Sequence, residues 1–496
     1  MTTKLPRILI AGLSGDSGKT IVSLSLATAF VRRGLAISAF KKGPDYIDAA
    51  WLGYASKSIC RNLDTYLIPE EVVYNSFCIN SADVDISLIE GNRGIYDGKD
   101  VVGTHSTAGL AKLLQAPVVL VVDVTKTTRT VAAMVKGIIE FDKDVTFAGV
   151  VLNKVGGARH QNILTETIEK YCDLPVLGAI PKLGSDDKII PGRHLGLVTP
   201  AEYDKNSDLE YKLYEIANTY LNIDKILELA NNASPLDIAE SSIEENNNEK
   251  KAKIGYFKDS VFTFYYPENL ERLENAGAEL IAISSTEDEK LPAIDGLYIG
   301  GGFPETQAEK LSSNQSMLNA VRKAAVDGMP VYAECGGLIY LARSLNWADK
   351  TYQMAGVFPV DLTMHEKPVG HGYTELRIDE ANPFFETGTV IKGHEFHYSG
   401  VAESYTGSGI KPLTSVMQIN KGVGLGNKRD GLLFNNTLAC YTHIHASGVE
   451  YWAGRMVESA RKYRSDKSTN PSACKIDSVE AKESRNSGLT LLMAES

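Results

Sequence analysis

Apolar positions in this chain fall into short unbroken runs separated by stretches of helix length. Between Arg7 and about Thr199 the runs are Ile8–Ala11, Ile37–Phe40, Ile86–Ile89, Val118–Val122, Phe147–Leu152 and Val176–Ile180. A strand that is apolar at every position is covered on both faces, and a parallel neighbour needs a long crossover to reach it. The pattern therefore predicts a first α/β domain on a doubly wound, mainly parallel sheet. A helical stretch follows from about Asp208 to Asn231. From Glu240 to Lys253 there is almost nothing to bury, which predicts a solvated linker, with a charged surface helix as the alternative. A second α/β pattern opens at Lys253–Phe257, continues through Gly296–Gly300 and Met329–Tyr332, and ends near Tyr463. The polar residues beyond it predict a disordered tail. The expected division is residues 1–235, a linker over 236–252, residues 253–463, and a tail over 464–496.

Length supports that division, because 496 residues exceed what one core serves. A formal charge of -11 argues against a nucleic-acid partner, which would need clustered Lys and Arg. The six cysteines show no CxxC spacing, so neither a zinc site nor a disulfide framework is expected. No apolar run approaches the roughly 20 residues of a membrane span, and no signal-peptide pattern is seen at the N-terminus. A soluble cytoplasmic protein without membrane partners is expected, with a homodimer as its assembly.

Chemistry concentrates at predicted strand ends. Gly12-Leu13-Ser14-Gly15-Asp16-Ser17-Gly18-Lys19-Thr20 follows a strand and opens a helix. In that setting backbone N–H groups cradle phosphates, Lys19 neutralises β and γ oxygens, and the Thr20 hydroxyl ligates Mg²⁺. ATP and Mg²⁺ are the expected cofactors, with Gly12, Gly15 and Gly18 shaping the loop. Gly12 lies one residue earlier than the strict GxxxxGK[ST] pattern requires. That spacing resembles dethiobiotin synthetase, and Ser14 stands where mechanical ATPases of the same group carry a second lysine. Asp45, Asp48 and Glu90, each beyond a strand, are the further Mg²⁺ candidates, because that cation takes one or two carboxylates. Asp97 is either a solvated turn former or a ligand. Asn153, also at a strand end, could read the nucleotide base.

In the second pattern, Ala333-Glu334-Cys335-Gly336-Gly337 follows the apolar run Met329–Tyr332. A buried strand ending in a sharp turn lifts a side chain to the mouth of a sheet, so Cys335 reads as a nucleophile, with a small core cysteine as the alternative. Strand alternation would send His443 and His445 to one face. His371, His394 and His397 form either a second polar cluster at a domain interface or part of a surface loop.

Taken together, Gly43–Asp48, Glu90-Gly91 with Tyr96-Asp97-Gly98, Arg193–Leu197, Gly300–Glu305 and Gly393–Ser399 resemble the signatures of the cobyrinate a,c-diamide synthases. The resemblance covers Arg7 to about Tyr463. It implies a dethiobiotin-synthetase-like phosphate-loop domain, binding ATP and a corrin acid, joined to a flavodoxin-like class I glutamine amidotransferase domain. Sister ligases acting on nickel-sirohydrochlorin, or making cobyric acid, are the nearest alternatives. A nucleotide switch with an inactive amidotransferase half is a third.

The resemblance also assigns roles. Cys335 would attack glutamine with His443 as base, Gly301 and Gly302 would offer N–H groups to the oxyanion, and Tyr46, Asp97, Arg193 and His194 would meet the macrocycle. The common amidotransferase triad places a glutamate two residues after the histidine, whereas this chain has His445, a departure in which it resembles cobyrinate-type members. Orientation of His443 by another group, or a weakly activated thiol, is then expected. Ammonia must be kept from water on its way to the acid, so a protected passage is expected.

Overall fold

The computed structural model describes residues 2–183, 189–193, 196–203, 208–238, 251–402 and 414–469. They form two compact units, divided at residue 245, with Phe264–Glu268 belonging to the first. Most of the expected linker, and the expected tail from residue 470 on, lie outside the described residues.

The first unit is built on seven strands: β1 (Arg7–Gly12), β2 (Ile37–Lys42), β3 (Cys60–Leu63), β4 (Ile86–Gly94), β5 (Val118–Asp123), β6 (Phe147–Val155) and β7 (Val176–Pro181). Their order is β3-β2-β4-β1-β5-β6-β7, with every pair parallel. Each apolar run read from the sequence is a strand. β3 is the addition: it reads Cys-Arg-Asn-Leu, and as an edge strand it needs no continuous apolar run. Connections lead to one side of β1 through β2 and to the other through β5, so the switch point of the sheet lies at β1, where such folds bind ligands. Helix α1 (Lys19–Arg32) buries nearly every residue from Val22 to Phe30, because the sheet lies on one side and α2 (Tyr46–Ser56) and the helix Leu209–Tyr220 lie on the other. Trp51 of α2 is fully buried and donates its indole N–H to the Val198 carbonyl at 2.8 Å.

The second unit has a nine-stranded sheet. Its strands are β8 (Ala252–Phe257), β9 (Ala278–Ile283), β10 (Gly296–Ile299), β11 (Val331–Glu334), β12 (Gly370–Ile378), β13 (Val390–His397), β14 (Ser415–Lys421), β15 (Arg429–Phe434) and β16 (Thr437–Cys440). The order is β9-β8-β10-β11-β16-β15-β14-β12-β13. The first five are parallel in the flavodoxin-like order 2-1-3-4-5, and from β16 onward the pairing is antiparallel. Two helices frame the part that matters below: α3 (Gly336–Leu341), directly after β11, and α4 (Trp452–Thr469), which packs on β8 and β10. α4 continues through residues 464–469, which the composition assigns to the tail. Trp452 packs edge-on against Tyr298 and Tyr332, at 5.3 Å from each, so two tyrosine rings from adjacent strands are buried with their hydroxyls inside the fold. Such hydroxyls need partners.

Candidate active sites

The turn after β1 is shaped by crowding. A Cβ on Gly12 would stand 2.3 Å from Ser17 Oγ and 2.8 Å from the Ser14 carbonyl, so the chain can fold back over the strand end only with glycine there. Gly18, with φ 98°, caps α1. Ser17 Oγ and Lys19 Nζ both donate to the Ser14 carbonyl, each at 3.1 Å. Burial, and next the charge of Lys41, hold the Lys19 pKa below its ordinary value. Asn153 donates from Nδ2 to the Ser17 carbonyl at 2.9 Å and accepts the Lys154 N–H on Oδ1, so here it ties the loop to the end of β6.

Thr20, Glu90, Lys41 and Asp48 meet beside that turn. Thr20 donates its hydroxyl to Glu90 Oε1 at 2.9 Å, and Lys41 Nζ lies 2.7 Å from both Glu90 Oε1 and Asp48 Oδ2. Burial opposes the Lys41 charge, but Asp48, Glu90 and Asp45 outweigh it and raise its pKa. Burial raises Glu90, with Lys41 pulling the other way. With an ammonium and a hydroxyl both donating to one oxygen, the ionised pair is the state that accounts for the contacts. Glu90 Oε2 is buried without a hydrogen-bond partner among the described residues. An unpartnered carboxylate oxygen on the group that binds the Thr20 hydroxyl suits a hard cation. The other two candidates are already engaged: Asp48 with Lys41, and Asp45 as the cap of α2, accepting the Asp48 N–H at 2.8 Å. Among the described residues no three His, Cys, Asp or Glu side chains form a metal cluster, so a cation here would rest on few protein ligands.

Of the macrocycle candidates, Tyr46 stacks on Phe264 with centroids 5.0 Å apart and rings 4° from parallel, and against Tyr266 at 4.5 Å. Asp97 accepts the Gly94 N–H at 2.8 Å and closes its own turn, the turn-forming alternative. His194 and the Arg193 side chain lie outside the described residues. Lys41 went unremarked in the sequence, although a lysine ending an otherwise buried strand must be paired.

The second site sits on the carboxyl ends of β10, β11 and β16. Cys335 joins β11 to α3 with φ 48° and ψ -97°, a conformation unusual for any residue but glycine. Its N–H donates to the Cys440 carbonyl at 2.7 Å, and Sγ lies 3.9 Å from the Phe396 carbonyl oxygen. Burial, and next the charge of Glu305, push the thiol pKa up, so Cys335 rests as the thiol. The glycine run is packed close to this turn: a Cβ on Gly336 would stand 3.0 Å from Gly302 N and 3.3 Å from the Gly301 carbonyl carbon. A Cβ on Gly302 would fall 1.8 Å from the Val261 carbonyl oxygen.

Strand alternation does not set the histidines, because β16 ends at Cys440. His443 instead exchanges backbone hydrogen bonds with His394 of β13, donating at 2.8 Å and accepting at 3.1 Å, and the two rings stack at 5.0 Å. His445 caps a short 3₁₀ turn, its Nδ1 accepting the Ser447 N–H. His394 and His397 are buried on β13, not in a surface loop. His397 stacks on Tyr441 at 3.7 Å and lies 3.3 Å from Glu395. Burial, and next His443, hold the His394 pKa far below its ordinary value, so that ring is neutral near pH 7. His443 Nδ1 lies 3.4 Å from Glu334 Oε2, a carboxylate the sequence reading passed over. A glutamate in the last position of a wholly buried strand was the signal that could have found it.

A phosphate loop in one α/β unit and, in the other, a cysteine turn whose preceding glutamate faces a histidine define a nucleotide-binding glutamine amidotransferase. Residues 8–190 match the CobQ/CobB/MinD/ParA nucleotide binding domain, and residues 253–451 match the CobB/CobQ-like glutamine amidotransferase domain. A cobyrinate a,c-diamide synthase of Magnetococcus marinus is 40% identical over 91% of this chain and 97% of its own length. Those of Archaeoglobus fulgidus (39% identical, 92% and 98% covered) and Methanosarcina acetivorans (38%, 93% and 97%) are similar to it as well. The chain belongs to the cobyrinate a,c-diamide synthase family, glutamine-dependent ligases of cobalamin biosynthesis that use ATP. No described helix is long and apolar enough to cross a membrane.

Proposed function

We propose that this chain amidates the a and c acetate groups of a corrin acid, cobyrinate or its metal-free counterpart hydrogenobyrinate, with ATP and glutamine. A carboxylate is a poor electrophile and oxide a poor leaving group, so the acetate first attacks the γ-phosphorus of ATP, giving an acyl phosphate and ADP. Lys19, Gly15 and the loop N–H groups stabilise the charge of the transferring phosphoryl group. Thr20 and Glu90 would hold Mg²⁺, which when bound offsets phosphate charge; the unpartnered Glu90 oxygen favours that assignment. Asp45 and Asp48 set the charge of Lys41 beside them. Asn153 is the candidate for the nucleotide base, and Tyr46, Asp97, Arg193 and His194 for the macrocycle.

Glutamine supplies the nitrogen. Cys335 Sγ attacks the γ-amide carbon, His443 takes the thiol proton and passes it to the departing nitrogen, and the N–H groups of Gly301 and Gly302 receive the oxyanion. Water then attacks the thioester, releasing glutamate and restoring the thiol. The freed ammonia displaces phosphate from the acyl phosphate. Free thiols at Cys60, Cys78, Cys172, Cys335 and Cys440 fit a reducing cytoplasm.

The observation that carries this reading is the presence of both strand-end turns in one chain, the phosphate loop beside Thr20 and Glu90 and the cysteine turn after a glutamate that faces His443. Mass spectrometry of products from cobyrinate, hydrogenobyrinate and nickel-sirohydrochlorin tests it by counting amides. We expect two on a corrin acid, dependent on both ATP and glutamine. Amidation of nickel-sirohydrochlorin alone would move the substrate, and no amide on any ring would remove the enzyme reading.

A further inference from the structure

We infer that Glu334, the residue immediately before the nucleophile, is the positioning residue that orients His443 in place of the missing triad glutamate; this rests on the reading of His443 as the base of Cys335. Glu334 is completely buried at the end of β11. Four groups converge on its carboxylate. Oε2 accepts from the Tyr298 hydroxyl at 3.2 Å and faces His443 Nδ1 at 3.4 Å, while Oε1 accepts from the Tyr332 hydroxyl and the Ile444 N–H, each at 3.2 Å. Three of these contacts hold the carboxylate in place, and the fourth aims it at the imidazole.

The chemistry follows from which nitrogen carries the proton. With the proton on Nδ1 donated to Glu334, Nε2 is left as the acceptor for a thiol proton, and the carboxylate stabilises the imidazolium that results. The 3.4 Å separation is long, as such contacts commonly are before substrate binds. His445, at the usual triad position, cannot substitute: its Nδ1 already accepts the Ser447 N–H, and an imidazole lacks the negative charge. The ring of His394, stacked on His443 at 5.0 Å, is neutral near pH 7 and supplies no charge to orient it. Nucleophile and orienting carboxylate are consecutive residues, so one strand end sets both sides of the pair.

Glu334→Gln tests this with little change of shape, because the amide oxygen can still serve Ile444 and Tyr332. Its NH₂ group would face Nδ1 and favour the wrong tautomer. We expect glutaminase kcat to fall about 10²- to 10⁴-fold, by the logic of a triad carboxylate replaced by its amide, with KM for glutamine within about 2-fold. The decisive measurement is a double-mutant cycle with His443→Ala. If Glu334 acts through His443, the double variant matches His443→Ala alone. A further drop by the full Glu334→Gln factor would overturn the inference and leave the base assignment standing. Full glutaminase activity in His443→Ala would instead remove the base assignment. Should Glu334→Gln fail to fold, ¹⁵N-histidine NMR of the unaltered protein decides: a proton on His443 Nδ1 is expected, and one on Nε2 refutes the role.

Discussion

In the function proposed for this chain two strand-to-helix turns carry the chemistry, and they reach opposite solutions. The turn from Gly12 to Thr20 works through its main chain, so it spends glycine freely: a Cβ on Gly15 would meet nothing within 4 Å, and Gly18 takes φ 98° without a side chain to clash. The turn at Cys335 must present a side chain. Glycine is unavailable to it, and the cysteine is held at φ 48°, a conformation that costs on the order of 1–3 kcal/mol and persists only where the surroundings impose it. Those surroundings are visible in Gly302, where a Cβ would fall 1.8 Å from the Val261 carbonyl oxygen, in Gly336, where one would stand 3.0 Å from Gly302 N, and in the bond from Cys335 N–H to the Cys440 carbonyl. Where the backbone is the reagent, glycine sits in the turn; where a side chain is the reagent, glycine sits around it.

The largest expected effect breaks the second turn alone. Cys335→Ala should lower glutamine-dependent amidation by on the order of 10⁴-fold or more, as loss of a nucleophile does. Amidation with added ammonium salt should survive, because it needs no thiol. Product assays with each nitrogen source check this; loss of both activities would mean that the two turns do not act separately. Lys19→Ala should cut the other way. Removal of one charge-stabilising donor costs about 10²- to 10³-fold, and the loss should be the same with glutamine or ammonia because both depend on the acyl phosphate. Survival of ammonia-dependent amidation would discredit the loop as the ATP site.

The same contrast explains what the sequence disclosed. A phosphate loop is written in glycines and one lysine in consecutive order, so Gly12 to Thr20 was legible without a structure. So were the six apolar runs of the first sheet, most of them buried at nearly every position. The cysteine turn was legible too, but the contact behind it was not. Glu334 touches His443 across more than a hundred positions of chain, and nothing local marks that contact. The antiparallel strands β12 to β15 escaped for a related reason: strands such as β12, with burial alternating along much of its length, offer no continuous apolar run. Asp45 and Asp48 stand as ligand candidates from their place after β2, whereas one caps α2 and the other pairs with Lys41, contacts made to α2 itself and to the end of β2.

The smallest expected effect concerns the charge on the first turn's flank. Asp45 has its pKa pushed up to about 7 by burial and by the adjacent Asp48, against an ordinary value of 3.8. Between those values the folded protein holds a proton that the unfolded chain has released. The unfolded state then binds fewer protons than the native one, so this group's contribution to stability falls as pH rises from about 4 to about 7. Asp45→Asn keeps the cap on α2, because the amide oxygen can still accept the Asp48 N–H, and it abolishes the titration. Thermal melting of the two proteins from pH 4 to pH 8 should show a shallower fall for the variant and a higher Tm for it at the alkaline end. The difference should be modest, since Asp45 keeps part of its surface exposed and water screens it. An unchanged slope would mean that Lys41 already neutralises Asp45 in the folded protein, and the flank of the phosphate loop would then be as settled in its charge as the cysteine turn is in its backbone.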